Sequence, residues 1–243
     1  MSWPATDAPG LTLAPDASIG DGVAFGAHVT VHAGTVIGDG CVIGDNAVLG
    51  KPPALSRRST ARRDHPGPLL LGGGCTVAAG AVLSAGSELG GECVVGDLAT
   101  VRERCSIGRG VVIGRGVCIE NDTRIGDFTK IQSNAYITAH CVLEEHVFVA
   151  PCVVTTNDNF MGRTEQRREL IAGAVIRRGA RVGGGAVLLP GIEVGEEAFV
   201  GAGAVVTRNV PPRMVVVGNP ARVLRQVPAE ELLESGSGAH DRG

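Results

Sequence analysis

Aromatic side chains are almost missing from this sequence: one Trp, one Tyr and five Phe among 243 residues. A conventional globular core leans on such rings, which bury large areas apiece. This chain must instead fill a narrow interior with aliphatic groups. Long apolar runs are missing too. No stretch approaches the roughly 20 residues that cross a bilayer, and Met1 to Gly10 lack the basic segment and apolar run of a secretory leader. Neither a membrane partner nor export is expected. Charge of either sign is modest, 22 Lys and Arg against 25 Asp and Glu, which speaks against broad nucleic-acid binding. The seven Cys contain no CxxC pair, and an odd number without a leader suits a reducing compartment, the cytoplasm. Glycine runs the other way, with 37 residues, about twice the usual share, but without the three-residue period of collagen.

A six-residue period is what the chain has instead. An apolar residue leads each step from Leu13 through Ile19, Phe25 and Val31 to Leu49, again from Leu71 to Val149, and again from Ile176 to Val206. Of these 27 hexads, 14 carry Gly directly after the leading residue, and in 25 the fifth position is Ala, Cys, Ser, Thr or Val. Neither the 3.6-residue period of a helix nor the alternation of a hairpin strand produces six. A short strand plus a turn does, with one large and one small side chain pointing inward. Three such steps close a triangular coil of 18 residues, and coils stack as parallel strands about 4.8 Å apart. The 27 hexads therefore predict about nine coils, stabilised by stacking on one another as in other solenoids.

The period breaks around residues 55–70, where Arg57, Arg58, Arg62, Arg63 and His65 cluster, and around 155–175, which contains Thr155, Thr156, Asn157, Asp158, Asn159 and Arg163. Solenoid insertions map to outer loops, and loops on rigid scaffolds carry function. The chain divides into an arm (1–12), the coil with its two inserts (13–211) and a C-terminal segment (212–243), with a short helix over Pro228–Leu233 and a flexible tail. Five Cys (Cys41, Cys75, Cys93, Cys105, Cys141) occupy the small inward position and read as core filler. No three His are spaced to converge on one metal ion, so no metal is expected. Residues 18 apart stack vertically: His140 lies one coil above Asp122, and one coil below Asp158 if the register survives the non-aliphatic Thr155. A carboxylate beside a His suits general-base work. Asn134 occupies the matching corner of a different face, reaching the Asn157 loop only across a subunit boundary. It reads equally as a ligand amide or as an Asn favoured by a turn.

The hexads resemble the hexapeptide motif of the left-handed parallel β-helix, which supplies the handedness. With the terminal stretch Val217-Gly218-Asn219-Pro220-Ala221-Arg222, the chain looks like the acyl-CoA-dependent acyltransferases of that fold. The segments from Ile131 to Asn134, Phe148 to Pro151 and Thr155 to Arg163 resemble the N-acetyltransferases of nucleotide-linked 3-amino sugars. That resemblance implies a homotrimer with sites between subunits, acetyl-CoA as donor along the later coils, and a nucleotide-sugar acceptor. It makes Asn157 and Asp158 the functional pair, with Asp158 positioning the amine and His140, if close, taking its proton. Asn134, Asn159 and Arg163 then contact the acceptor, and Ala202, Gly203 and Arg222 the CoA. An acyltransferase for another amine or hydroxyl, and a non-catalytic assembly or binding module, are the competing readings.

Overall fold

The computed structural model describes residues 3–4, 7–57, 59 and 61–233. The expected tail (235–243), Arg58 and part of the arm lie outside the described residues. The chain is a parallel β-solenoid built almost wholly of two-residue strands. They lie in three sheets of 12, 10 and 9 strands, each sheet one face of the prism. Pairing steps by 18: Val77 with Val95, Val101 with Ile119, Ile107 with Ile125. Parallel neighbours ordinarily need a long crossover, and here the other two faces of each coil serve as one. We name the faces by Phe25, Ile37 and Leu49.

The leading residues point inward, as the period requires. Ile37, Ile43, Leu49, Ile113, Ile131 and Ile137 are each at most 1% exposed. Several of the thiols and hydroxyls at the fifth position also bond to the neighbouring coil. Cys41, Cys75, Cys93 and Cys105 donate their thiols to the carbonyls of Gly72, Gly90, Gly108 and Glu120 at 3.1–3.2 Å. Ser87 and Thr129 make the same bond to Arg102 and Glu144. Burial pushes the Cys105 thiol up to about 12, which suits an inert filler.

Nine coils proved too few. The period passes over two positions that the structure fills: Thr155, paired with Leu188, and Val216, paired with Val200. Thr155 keeps the register that its polarity put in question. In regular coils the amide after the leading residue bonds to a carbonyl one coil on, as Glu120 N does to Ile137 O at 2.8 Å. At Thr138 that acceptor is the Thr155 hydroxyl, also at 2.8 Å. A hydroxyl at this buried position closes the ladder where the chain is about to leave it. The C-terminal segment also differs from expectation. Met214–Val217 and Arg222–Gln226 form an antiparallel hairpin on the last coil. The expected helix shrinks to a single 3₁₀ turn, Ala229–Glu231, because Glu197 takes the Leu233 amide and Arg181 takes Glu231, pulling the segment against the coils.

The three corners are not alike. After the Phe25 and Ile37 faces the corner residue is usually Gly, and the next coil's backbone lies against it: a Cβ added at Gly38 would stand 2.6 Å from Gly73 N, and one at Gly114 2.7 Å from Ser133 N. After the Leu49 face the corner residues are His32, Gly50, Ser84, Arg102, Glu120 and Thr138. Both departures from the coil leave from this third corner. Residues 52–68 lie between Val48–Lys51 and Leu70–Leu71, and residues 156–174 between Val154–Thr155 and Val175–Ile176.

Candidate functional site

The two excursions fold toward each other over the third corner and meet above His140. Ser59 and Ala61 of the first, and Asn157 and Ile171 of the second, wall a cavity of about 170 Å³. Its floor is the corner itself, with Arg102, Glu120, Tyr136, Thr138 and His140. Asn157 is anchored by its Nδ2 donating to Ala139 O at 3.4 Å and its carbonyl accepting from Ala172 N at 3.1 Å. The returning chain then lies one coil above His140: a Cβ at Gly173 would lie 2.5 Å from the His140 carbonyl carbon, so only Gly fits there. His140 is exposed, with φ of 66°. His28, Leu98 and Phe128 share that backbone region, so it marks a corner rather than a site.

Below the cavity lies an ionic network. Glu103, 1% exposed, receives Arg102 through Nε at 3.1 Å and Nη2 at 2.7 Å, while Arg102 Nη1 donates to Glu120 at 2.7 Å. Arg104 forks onto Asp122 at 2.8 and 3.1 Å, and Asn121 Nδ2 donates to the same carboxylate at 2.6 Å. Burial alone would raise the Asp122 carboxyl, but Arg104 and Asn121 outweigh it and hold it below the usual range. Burial, and then the nearby Glu120 charge, raise the Tyr136 phenol, which therefore stays a hydrogen-bond donor.

The expected vertical stack is thus partly realised. His140 N bonds to Asn121 O at 3.2 Å, one coil from Asp122, but both Asp122 oxygens serve Arg104 and Asn121. Asp158 is spent on its own loop: its two oxygens accept from Phe160 N at 2.8 Å and Gly162 N at 2.9 Å. It does not line the His140 cavity. Asn159 and Arg163 are exposed on the same excursion. Asn134 is exposed at the corner after the Phe25 face, with φ of 60°, apart from the cavity. Ala202 and Gly203 form an exposed corner two coils beyond Thr155, with Gly203 at φ 68°. Arg222 is exposed in the C-terminal hairpin, its Nη1 donating to Ala221 O. Small corner residues and nearby guanidinium groups suit a long phosphorylated donor. Sequence reasoning missed Tyr136, Arg102, Glu120 and Thr138. The signal was present: the third corner mostly lacks the glycine that the other two usually carry.

The six-residue step and the three parallel sheets define a hexapeptide-repeat solenoid. A model of the bacterial transferase hexapeptide (six repeats) matches residues 8–51, 122–157 and 173–208. A Staphylococcus aureus (strain MRSA252) protein assigned as an acetyltransferase is 46% identical over 54 residues, 21% of this chain and 27% of that protein. The serine acetyltransferase of Buchnera aphidicola subsp. Schizaphis graminum is 43% identical over 53 residues, 22% of this chain and 20% of that protein. The chain thus spans about a quarter of the length of the curated relatives it matches. Among solved structures, the UDP-N-acetylglucosamine acyltransferase of Francisella novicida superposes over 93% of this chain and 72% of its own, with a TM-score of 0.51 at 17% identity, a likeness of fold. Among the described residues no helix is long and apolar enough to cross a membrane.

Proposed function

We propose that this protein is an acyl-CoA-dependent N-acyltransferase, with acetyl-CoA as donor, acting on the amine of a nucleotide-linked 3-amino sugar. The matched transferase repeat and the acetyltransferase relatives support the reaction class. The observation that carries the site is the convergence of both excursions on His140, with the amide of Asn157 and the phenol of Tyr136 on the same cavity. The neutral acceptor amine attacks the thioester carbonyl carbon, forming the C–N bond and an oxyanion. His140 takes the amine proton, the role imidazole suits near neutral pH. Collapse of the oxyanion breaks the C–S bond, and the thiolate leaves and recovers the proton. Asn157 or a backbone amide stabilises the oxyanion, since pre-aimed donors lower such barriers. Asp158 acts by shaping the Asn157 loop. Ala202, Gly203 and Arg222 hold the donor, while Asn134, Asn159 and Arg163 of a homotrimer's neighbouring subunit complete the acceptor wall.

Acetyl-CoA should raise the melting temperature of the full chain, because a ligand of the native state stabilises it. A panel of acceptors, read by thiol release, then ranks nucleotide-linked amino sugars against simple amines and hydroxyl acceptors. Protection with transfer only to a different acceptor leaves the transferase and removes the sugar. No protection at saturating acetyl-CoA leaves a non-catalytic solenoid.

A further inference from the structure

A second cavity adjoins the first. It measures about 530 Å³ and runs beneath the first excursion from Lys51 and Ser56 across Ser84 and Thr100. Ser59, Arg102 and Glu120 line both cavities, so the two meet along the third corner. The His140 cavity alone, about 170 Å³, is below the roughly 300 Å³ at which small-molecule sites begin. It takes the reacting end of a ligand and no more. Together the two spaces fall inside the range of such sites. His140 and Ser84 sit three coils apart on one corner, about 14 Å at the usual strand spacing, so the groove suits an elongated ligand.

Charge is distributed along its length. Near His140 the groove is lined by Glu103 and Glu120 with Arg102 paired to both, an excess of one negative charge. At the far end Lys51 is exposed at the groove's edge. Glu120 is the negative group nearest the reacting end, being shared with the His140 cavity, and Arg102 fixes one of its oxygens at 2.7 Å. A carboxylate held this way attracts an amine and accepts from a sugar hydroxyl.

Resting on the transferase reading above, we propose that the two cavities form one acceptor groove, with Glu120 receiving the amine-bearing sugar and Lys51 the anionic diphosphate end under the first excursion. The 52–68 segment is then a specificity element, since it roofs the part of the groove where the acceptor's non-reacting portion lies. Glu120 draws in the amine, and His140, one coil above, receives the proton.

Two nucleotides without sugar, UDP and dTDP, probe the far end directly by isothermal titration of the full chain. We expect at least one to bind, and Lys51→Ala to weaken that binding about tenfold while leaving acetyl-CoA protection unchanged. Glu120→Gln should leave nucleotide affinity within twofold but raise the KM of an amino-sugar acceptor at least tenfold, with circular dichroism and acetyl-CoA protection intact. A chain that binds acetyl-CoA but neither nucleotide overturns this groove and spares the transferase reading. So do a Lys51→Ala variant with unchanged nucleotide affinity and a Glu120→Gln variant with unchanged KM. A chain that fails to bind acetyl-CoA sinks the underlying reading instead.

Discussion

Two corners of this prism are built mostly of glycine and backbone, and the third mostly of larger side chains. At Gly38, Gly72, Gly90 and Gly114 the next coil's backbone stands where a Cβ would go, 2.5–2.7 Å away. Those corners are sealed by contact, and nothing but Gly packs there without a shift. At the third corner Arg102, Glu120 and Thr138 occupy the same place in the repeat, and both excursions depart there. All the cavities described above open on it, and so does a further one of about 440 Å³ lined by His32, Arg62, Arg63 and His65. In a solenoid every coil must stack, so variation is tolerated only where stacking does not use the corner. Chemistry has collected where the backbone is not in contact.

The contrast can be broken first at its most buried charge. Glu103→Ala strips Arg102 and Arg104 of a partner that is 1% exposed, and removing one side of a buried pair costs about 3–5 kcal/mol. Thermal and denaturant unfolding should both show it. Next comes a sealed corner. Gly114→Ala forces a Cβ against Ser133 N and should cost about 1–3 kcal/mol, the usual result of overpacking. The smallest effect lies at the rim of the network. The Asp122 side chain is 18% exposed, and Asn there keeps an acceptor oxygen for Arg104, so Asp122→Asn should cost about 1 kcal/mol at pH 7. Because Arg104 holds this carboxyl below the usual range, its contribution is present above about pH 4. It is lost as the pH falls through the lowered value. Unfolding curves of wild type and variant should therefore differ at pH 7 and converge in acid.

The six-residue period made the coil legible, because each leading residue has one place to go and its local neighbours say which. Handedness is a different matter: sequence similarity suggested it, and the period is blind to it. Counting fell short at Thr155 and Val216. A polar residue in an inward slot looks like a break until the Thr138 amide it serves is seen, and that amide is 17 residues away in sequence. The site was half legible. His140 and Asn157 stood out by spacing and by their place in a break, and they do share a cavity. Asp158 stood out for the same reasons, but its carboxylate closes on Phe160 and Gly162 within four residues, a local bond that the repeat gives no hint of. Glu120 and Tyr136 were hidden because each occupies an ordinary slot of the repeat. Only the meeting of two distant excursions turns that slot into a wall.

The proposed chemistry turns on His140. Acceptor-dependent thiol release from acetyl-CoA, compared between wild type and His140→Ala, measures its role directly. Loss of a general base lowers turnover by about 10²–10⁴-fold, and that is the expected result, with acetyl-CoA protection and the β-rich circular dichroism unchanged. A His140→Ala variant that turns over at the wild-type rate would place the chemistry elsewhere on the prism.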